Sequence, residues 1–487
     1  MADHTVTERV ADSLDPVSSE RAAAEIPDDA TLVLSGFGRA GYPKAVPLAL
    51  AESGRDLSLT VISGGSVGDE VDTALVEADA VARRFPFQAT AAARSAINEG
   101  RVAFHDRHIS RLGDEVAFGH SGTPDVALVE AVAVGDGWLI PTTSIGHTPT
   151  YVAAARKLVV EVNHAQPLSL QHLHDVYDRG MPPTRPPIPL SKPGDRIGSP
   201  RIVFDPDKLL AVVETDRPDA PYTFREPTAV DQRIADNLVS FLDRESEASP
   251  TFDETLNLQF GVGSLGNALM GAFADADFGD RTVSYYGEVI QDGLLDMLDA
   301  DRLESASAAS LALSAEGQRR LFADVEGYAE RVVVRNADVS NNATLIDRFG
   351  VVGVNSALEV DLYGHVNSTH LGGTHVVNGI GGSGDFTRTS TLSVIALGST
   401  AKDGTVPRIV PMAPHVDHTE HDVNVVVTEQ GVADLRGCSP RERAALLVEH
   451  CAHPDYRADL DAYLDRAAKG RGNVPHDLDT AFDWQRE

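Results

Sequence analysis

The chain has 487 residues, and 73 acidic against 41 basic side chains give it a formal net charge of −32 at pH 7. This length predicts two domains, and so negative a surface would repel nucleic acid and anionic membranes, so we expect neither as a partner. No apolar run approaches the roughly 20 residues that a membrane-spanning helix needs, and residues 1–15 are acidic and polar, so we expect a cytoplasmic protein.

Two residue types are scarce. Cys438 and Cys451 are the only cysteines, which excludes a disulfide framework and a thiolate zinc site. There are six lysines, among them Lys44 and Lys402. An acidic, lysine-poor surface around an ordinary apolar fraction indicates the cytosol of a salt-loving organism, where high ionic strength screens the repulsion between charges.

The first half of the chain alternates strands with helices. After a short helix at 18–25, a strand at 31–35 runs into a glycine loop at 36–44 and a helix at 45–52. This is a phosphate-binding shape, although such a lone glycine pattern is weak evidence. Further strands are predicted at 57–63, 125–134, 138–141, 157–162 and 209–214.

The second half repeats this order. A proline-rich stretch at 180–200 is predicted to be a wrap or linker, and we place the domain boundary at 225, giving domains 1–225 and 226–487. A strand, a glycine loop and a helix then recur at 256–273. We therefore predict an α/β protein with two similar, mostly parallel-sheet domains. Further elements are predicted as helices at 229–245, 440–451 and 456–468, and as strands at 331–335, 351–354, 358–362, 392–397 and 423–428.

Glu288 is the first candidate for chemistry. A β-prone run at 282–286 stops at Gly287, and apolar residues at helical spacing follow, so we expect Glu288 where a strand passes into a helix. Open α/β sheets bind their ligands at such points. A helix dipole would keep the carboxylate ionised while apolar walls keep it poorly hydrated, which makes a nucleophile. The alternative is that Glu288 merely favours a first helical turn.

A second candidate is the glycine-dense stretch at 378–386, where backbone amides can converge to form an oxyanion hole or a phosphate cradle. The alternative is a flexible surface loop. Its apolar neighbours Val376, Val377, Ile380 and Phe386 favour a buried site.

Two further patterns lie near the C-terminus. His415, His418 and His421 alternate with carboxylates, but their three-residue spacing suits neither a helical nor a strand metal site, so we favour a hydrogen-bonded loop and no metal. Glu429 follows an apolar strand and precedes Gly431, so it is placed either near Glu288 or simply as a partner of the turn. The chain contains neither a serine nucleophile elbow nor a Walker loop.

Taken together, these patterns resemble the acetyl-CoA hydrolase/transferase family of class I CoA-transferases over nearly the whole chain. The resemblance rests on the stretches 40–47, 140–146, 160–163, 261–267, 287–293, 381–384 and 415–435. It implies that Glu288 attacks acyl-CoA and becomes a glutamyl-CoA thioester, and that Gly382 and Val262 donate backbone amides to the oxyanion. It also implies that Glu429 orients Glu288 and that an arginine pairs with Glu429; Arg217, Arg225 and Arg233 are equal candidates. The residue before the nucleophile varies in this family, and Gly287 is expected to leave the site open on that side.

The resemblance also implies the residues that contact CoA: Gly261, Val262, Gly263, Ser264, Leu265, Asn341, Asn378, Gly382 and Lys402. CoA is a polyanion, and Lys402 follows a strand close to the glycine-dense stretch, so it is a plausible phosphate contact. CoA would be a substrate and a covalent intermediate, not a resident cofactor.

Three functions remain open. The favoured one is a CoA-transferase that moves CoA from succinyl-, propionyl- or acetyl-CoA to a small carboxylate such as acetate, in a protein expected to be a homodimer. The close alternative is an acyl-CoA hydrolase that uses the same glutamate, because the two differ only in how well the site excludes water. The remote alternative is a non-catalytic CoA or nucleotide sensor.

Overall fold

The computed structural model describes residues 5–276, 278–470 and 472–485, except for the side chains of Ser264 and Gln485. Chain contacts divide the molecule into two compact units. Unit 1 comprises the chain up to Thr223 together with Tyr285–Leu298 and Glu304–Leu345. Unit 2 comprises Phe224–Ser284, Asp299–Leu303 and the chain from Ile346.

The helices of the described residues are α1 Ser19–Ala24, α2 Ala45–Glu52, α3 Asp69–Asp72, α4 Ala74–Glu77, α5 Ala91–Asn98, α6 Ile109–Ala117, α7 Thr148–Ala154, α8 Ala229–Ala248, α9 Ser264–Asp275, α10 Asp292–Asp299, α11 Ala315–Ala323, α12 Val325–Tyr328, α13 Ala337–Ser340, α14 Ala343–Arg348, α15 Ser383–Thr389, α16 Pro440–His450 and α17 Pro454–Ala467.

The strands of the described residues are β1 Thr31–Leu34, β2 Leu59–Ile62, β3 Val81–Phe85, β4 Ala103–Phe104, β5 Val126–Gly135, β6 Trp138–Pro141, β7 Lys157–Asn163, β8 His174–Asp175, β9 Ile202–Val203, β10 Leu209–Thr215, β11 Thr255–Phe260, β12 Thr282–Tyr286, β13 Val289–Ile290, β14 Ser305–Ala308, β15 Ser310–Leu311, β16 Val332–Arg335, β17 Val352–Ser356, β18 Glu359–Asp361, β19 Val366–Asn367, β20 His370–Leu371, β21 His375–Val376, β22 Leu392–Ala396, β23 Thr400–Ala401, β24 Val406–Pro407, β25 Ile409–Val410, β26 Val425–Thr428 and β27 Gly431–Asp434.

Unit 1 is built on a sheet whose strand order is β10-β7-β5-β1-β2-β3-β4, with every neighbouring pair parallel. The short strands β6 and β9 extend it, with β6 antiparallel to β5 and β9 antiparallel to β6. Successive residues of β1 enter different apolar clusters, with Leu32 on one face and Val33 on the other. The sheet is therefore covered on both faces, as parallel sheets require.

The segments around Glu288 complete unit 1. There, β14, β16 and β8 form a parallel set, and β13 pairs in parallel with β15. The proline-rich stretch 180–200 carries no helix or strand, and Arg185 within it forms an ion pair with Asp114 at 2.8 Å.

Unit 2 repeats the design with β11, β17, β22 and β26 parallel and β27 antiparallel at the edge. Its long helix α8 begins with a capping box, in which Thr228 and Asp231 satisfy each other's backbone N–H groups. A separate cluster of buried apolar residues packs α16 and α17 against β26.

The predicted class, α/β with mostly parallel sheets, is confirmed, and so are the predicted strands at the start of both halves. One local prediction is wrong: Glu288 does not lie directly between a strand and a helix. The strand β13 follows it, because Val289 and Ile290 pair with Ser310 and Leu311, and α10 begins only at Asp292. None of the helices in the described part of the chain is both long and apolar enough to cross a bilayer.

Candidate active site

The backbone of Glu288 is fixed on both sides by one neighbouring segment. The N–H of Gly287 donates to the carbonyl of Ser307 at 3.0 Å, and the N–H of Ala309 donates to the carbonyl of Glu288 at 2.9 Å. The backbone of Glu288 is therefore held by hydrogen bonds of the kind that join two strands, although Glu288 itself lies between β12 and β13. Its side chain is half-buried while Gly287 and Val289 on either side are buried.

The carboxylate of Glu288 accepts a hydrogen bond from the amide of Asn341, whose Nδ2 lies 2.8 Å from Oε1. The hydroxyl of Ser340 donates to Oδ1 of Asn341 at 2.9 Å. Since that oxygen is occupied as an acceptor, the NH2 group is the one that faces Glu288. A neutral donor on a half-buried carboxylate favours its ionised form and fixes its direction. The sequence identified Asn341 only as a CoA contact and missed this pairing.

Gly287 has a steric role that the sequence did not predict. A Cβ at this position would lie 2.4 Å from the hydroxyl of Tyr285. The Tyr285 side chain is fully buried and its hydroxyl donates to the carbonyl of Val289 at 3.0 Å. The expectation that Gly287 leaves the site open is wrong, because the Tyr285 ring fills that space.

The turn α13 that carries Asn341 is held by a buried ion cluster. Asp338 lies 3.2 Å from Nδ1 of His147 and 3.3 Å from Nε of Arg179, and it accepts from the Thr150 hydroxyl at 3.1 Å. Burial opposes ionisation of Asp338, but its contacts with His147, Arg179 and Thr150 outweigh burial and lower its pKa to about 2. Asp338 is therefore an anion at neutral pH and fixes α13.

The first glycine loop packs beside Glu288. Phe37 belongs to one apolar cluster with Val289 and Ala309, and the Ser310 hydroxyl donates to the carbonyl of Phe37 at 2.6 Å. The N–H of Ile145 also donates to the carbonyl of Ala309 at 3.0 Å. The loops after β1 and β6 thus support the segment that holds Glu288.

Lys44 forms the centre of a buried charge network behind these loops. Its ammonium lies 2.5 Å from Glu130 and 2.9 Å from Asp219, and all three side chains are buried. Burial would lower the pKa of Lys44, but the two carboxylates outweigh it and raise that pKa. Burial and the charge of Asp219 raise the pKa of Glu130 to about 7, although Lys44 opposes this. Asp219 also accepts from the Thr143 hydroxyl at 2.5 Å, which ties the network to the loop after β6.

In unit 2, residues 261–263 and the first turns of α9 line a cavity of about 180 Å³ together with the ends of β17 and β22. The glycine loop predicted at 261–267 is shorter than expected, because α9 already begins at Ser264. Gly263 has a φ of 137°, a value that L side chains rarely adopt, and α9 begins directly after it. Val262 is 38% exposed. The side chain of Asn355 lines the same cavity and lies 3.4 Å from the hydroxyl of Thr387 on α15.

The glycine-dense stretch forms the start of α15. Gly381 has a φ of 56° and Gly382 is the buried N-cap residue of this helix. The flanking Val376 and Phe386 are buried. Asn378, by contrast, is exposed, and its amide donates to the carbonyl of Ser368 at 3.2 Å.

Glu429 lies in the turn between β26 and β27. The Ser399 N–H donates to its Oε2 at 2.8 Å, the Ser399 hydroxyl donates to Oε1, and Gln430 donates to Oε1 at 2.9 Å. Burial opposes ionisation, but the Ser399 hydrogen bonds outweigh it and lower the pKa of Glu429.

Arg408 is a further arginine in this region, and its Nε donates to the carbonyl of Leu358 at 2.9 Å. Burial lowers the pKa of Arg408, and the charges of Glu359 and Glu429 oppose that effect. The backbone N–H of Arg408 donates to the carbonyl of Ser399 at 2.9 Å, so Arg408 is next to the residue whose hydrogen bonds hold Glu429. The candidate Arg225 instead pairs with Asp231 at 2.7 Å.

Lys402 occupies the turn between β23 and β24, with a φ of 47°, and its side chain is exposed. The histidine-rich stretch is hydrogen-bonded: Nε2 of His415 lies 3.1 Å from Asp417, and Asp417 accepts from the Thr369 hydroxyl at 2.9 Å. In the part of the chain that the structure describes, no three His, Cys, Asp or Glu side chains converge as metal ligands would.

Family models and individual relatives place the chain in the same protein family. Residues 15–214 match the model of the acetyl-CoA hydrolase/transferase N-terminal domain, and residues 317–464 match that of the C-terminal domain. The chain is 40% identical to the succinyl-CoA:acetate CoA-transferase of Clostridium kluyveri, covering 96% of this chain and 88% of the relative. It is also 40% identical to the propanoyl-CoA:succinate CoA transferase of Escherichia coli (96% of each chain), and 38% identical to the acetyl-CoA hydrolase of Schizosaccharomyces pombe (93% and 90%).

Solved structures agree at the level of the fold. The structure of RipA from Yersinia pestis matches with a TM-score of 0.71 and 22% identity, covering 94% of this chain and 97% of that one. The 4-hydroxybutyrate CoA-transferase from Porphyromonas gingivalis matches with a TM-score of 0.62, 22% identity and the same coverage. The predicted CoA-transferase type of fold is thereby confirmed.

Proposed function

Because the chain belongs to the acetyl-CoA hydrolase/transferase family, we propose that it transfers CoA from an acyl-CoA to a small carboxylate with Glu288 as the nucleophile. The observation that carries this proposal is the half-buried Glu288 carboxylate, which accepts from the amide of Asn341 and stands on a backbone that is hydrogen-bonded to the segment 307–309. A neutral donor to a carboxylate favours its ionised form, which is the form that a covalent nucleophile needs.

The chemistry follows from the attack of this carboxylate. Glu288 attacks the acyl carbonyl, which forms a mixed anhydride and releases the CoA thiolate. The thiolate then attacks the glutamyl carbonyl, which releases the donor acid and leaves a glutamyl-CoA thioester. An acceptor carboxylate attacks that thioester, which forms a second anhydride and releases the CoA thiolate. The thiolate then attacks the acceptor's acyl carbonyl, giving the new acyl-CoA and free Glu288. The donor is succinyl-, propionyl- or acetyl-CoA and the acceptor is acetate or another small acid.

The resemblance to this family assigns roles to further residues. Backbone amides of Gly382 and Val262 stabilise the oxyanion, and Glu429 orients the nucleophile. The Ser399 N–H and hydroxyl, which donate to the two carboxylate oxygens, would keep Glu429 ionised and in place. Residues 261–265, Asn378 and Lys402 bind CoA; in support of this, Gly261, Val262, Gly263 and Leu265 line a cavity and Lys402 is an exposed cation.

The experiment compares wild type with Glu288→Gln and with the exposed control Glu330→Gln. We expect Glu288→Gln to keep its fold but to lose turnover by several orders of magnitude, and Glu330→Gln to match wild type. Incubation with acyl-CoA and then borohydride should reduce the thioester to an alcohol at Glu288 and release CoA. Turnover of Glu288→Gln within tenfold of wild type, or the absence of any modification at Glu288, would remove it from this role.

Acyl-CoA hydrolysis is the second candidate, since relatives of about 38% identity carry the name acetyl-CoA hydrolase. In that reaction water attacks the glutamyl thioester and frees CoA. Measuring acyl-CoA consumption with and without acetate separates the two: a transferase consumes acyl-CoA steadily only with acetate, and a hydrolase does so without it. The homodimer and the salt-rich cytosol stay predictions for light scattering and for salt-dependent stability.

A further inference from the structure

A second cavity lies in unit 1 between the sheet and α6, and we call it the α6 cavity. Its volume is about 370 Å³, at the lower end of the range for small-molecule pockets. Its lining residues are Thr60, Ile62, Arg83, Phe85, His105, Leu112, Glu115, Val116, His120 and Ser121. Neither Glu288 nor Asn341 lines it.

The strand register explains why the cavity exists. Thr60 is the partner of Arg83 and Ile62 of Phe85, so these four side chains share one face of the parallel sheet. The next strand, β4, is only two residues long, and α6 packs over this face with Leu112 and Val116. Because α6 covers an edge strand, β4, of only two residues, a space is left between the helix and the sheet. The apolar side chains line the bottom of this space.

The polar rim of the cavity is positively charged in an otherwise acidic protein. Arg83 is exposed, and among the described residues no acidic side chain forms an ion pair with it. The carboxylate in the lining, Glu115, is occupied by Arg107, which donates to both of its oxygens, at 2.7 Å for the Nε bond. His105 and His120 complete the rim, and the His105 ring lies 5.0 Å from that of Phe85. The rim therefore offers N–H donors and one unpaired cation.

We propose that the α6 cavity is a second ligand site, which takes an organic anion with an acidic head group and a small aryl or alkyl body. The head group pairs with Arg83 and accepts hydrogen bonds from the rim imidazoles. The body packs on Ile62, Phe85 and Val116. The site favours an anion over a neutral molecule for two reasons. Arg83 carries a fixed positive charge, and the charge of Glu115 is already neutralised by its bidentate pair with Arg107.

The test is a binding measurement by fluorine NMR on the intact protein. The probe is para-trifluoromethylbenzenesulfonate, which is not a carboxylate acceptor, and the matched neutral compound is para-trifluoromethylbenzenesulfonamide. We expect saturable broadening of the sulfonate signal, with the sulfonamide about tenfold weaker, the effect of losing one charge-assisted contact.

Variants assign the binding to this cavity. Arg83→Gln should weaken sulfonate binding about tenfold and Ser121→Trp, which fills the mouth from the rim, should abolish it. The control Arg111→Gln removes an exposed arginine of the same helix that does not line the cavity, and it should bind as wild type does. Glu288→Gln should also bind as wild type, so this site is tested independently of the proposed reaction.

Several results would overturn the proposal. One is equal broadening of sulfonate and sulfonamide, and another is sulfonate binding that survives both Arg83→Gln and Ser121→Trp. Equal weakening by Arg83→Gln and Arg111→Gln would mean general attraction to surface charge. A change of oligomeric state in folded Arg83→Gln, seen by light scattering, would make this surface an interface between copies of the chain instead. Should Arg83→Gln fail to fold, Ser121→Trp alone decides between binding in the cavity and binding elsewhere.

Discussion

Removing the amide of Asn341 is the sharpest test of how Glu288 is held. Asn341→Ala deletes one donor, Nδ2, at 2.8 Å from the carboxylate. A hydrogen bond to a charged group contributes about 1.5–3 kcal/mol, and the half-exposed position of Glu288 favours the lower end. A loss of about 1.5–2 kcal/mol in transition-state stabilisation corresponds to a kcat/KM lower by about 10- to 30-fold.

A graded series makes this measurement specific. Ser340→Ala removes only the hydroxyl that orients the amide, so its loss should be smaller than that of Asn341→Ala. Asn341→Asp keeps the shape but sets a carboxylate against a carboxylate, so its loss should be the largest. The assay is steady-state kcat/KM with acyl-CoA and acetate, alongside thermal melts that establish folding. A folded Asn341→Ala with kcat/KM within twofold of wild type would refute the argument that this amide positions Glu288.

Three further predictions concern other charged groups. Lys402→Ala should raise the KM for acyl-CoA far more than it lowers kcat, with Lys469→Ala as the exposed-lysine control; an unchanged KM would place Lys402 away from CoA. Lys44→Met should lower the free energy of unfolding, measured by urea titration, by about 3–5 kcal/mol, because it leaves two buried carboxylates without their cation. The control Lys157→Met, at an exposed position, should change that free energy by no more than about 0.5 kcal/mol. Asp338 has a lowered folded-state pKa of about 2, so the stability it contributes, about 2 kcal/mol, is present above pH 4 and is lost as pH falls from about 4 to 2. The difference in unfolding free energy between wild type and Asp338→Asn should therefore shrink over that pH range. A constant difference would contradict the lowered pKa of Asp338.

Much of the fold could be predicted because its signals are local. The strand at Thr31–Leu34, the glycine loop after it and the helix Ala45–Glu52 are encoded within a few neighbouring residues. The same reasoning failed at Glu288, because β13 is stabilised by β15, about twenty residues further along the chain. Apolar residues at helical spacing cannot reveal a strand partner of this kind.

The contacts of the candidate site are also long-range. Asn341 lies 53 residues from Glu288, and Ser399 lies 30 residues from Glu429. No local pattern pairs an amide or a hydroxyl with a particular carboxylate, so Asn341 was identified only through the family resemblance and for a different role. Arg408 was not among the arginine candidates, because its burial arises only in the folded chain.

The burial of Lys44 affects whether acyl-CoA can acylate the protein itself. Acyl-CoA thioesters react with unprotonated amines, and an enzyme that handles them exposes its own lysines to that reaction. Lys44 is fully buried between two carboxylates that raise its pKa, so its nitrogen stays protonated and has no lone pair for acylation. With only six lysines in 487 residues, the chain offers few amines of any kind to be acylated. The lysine-poor composition thus leaves few sites at which acyl-CoA could acylate the protein.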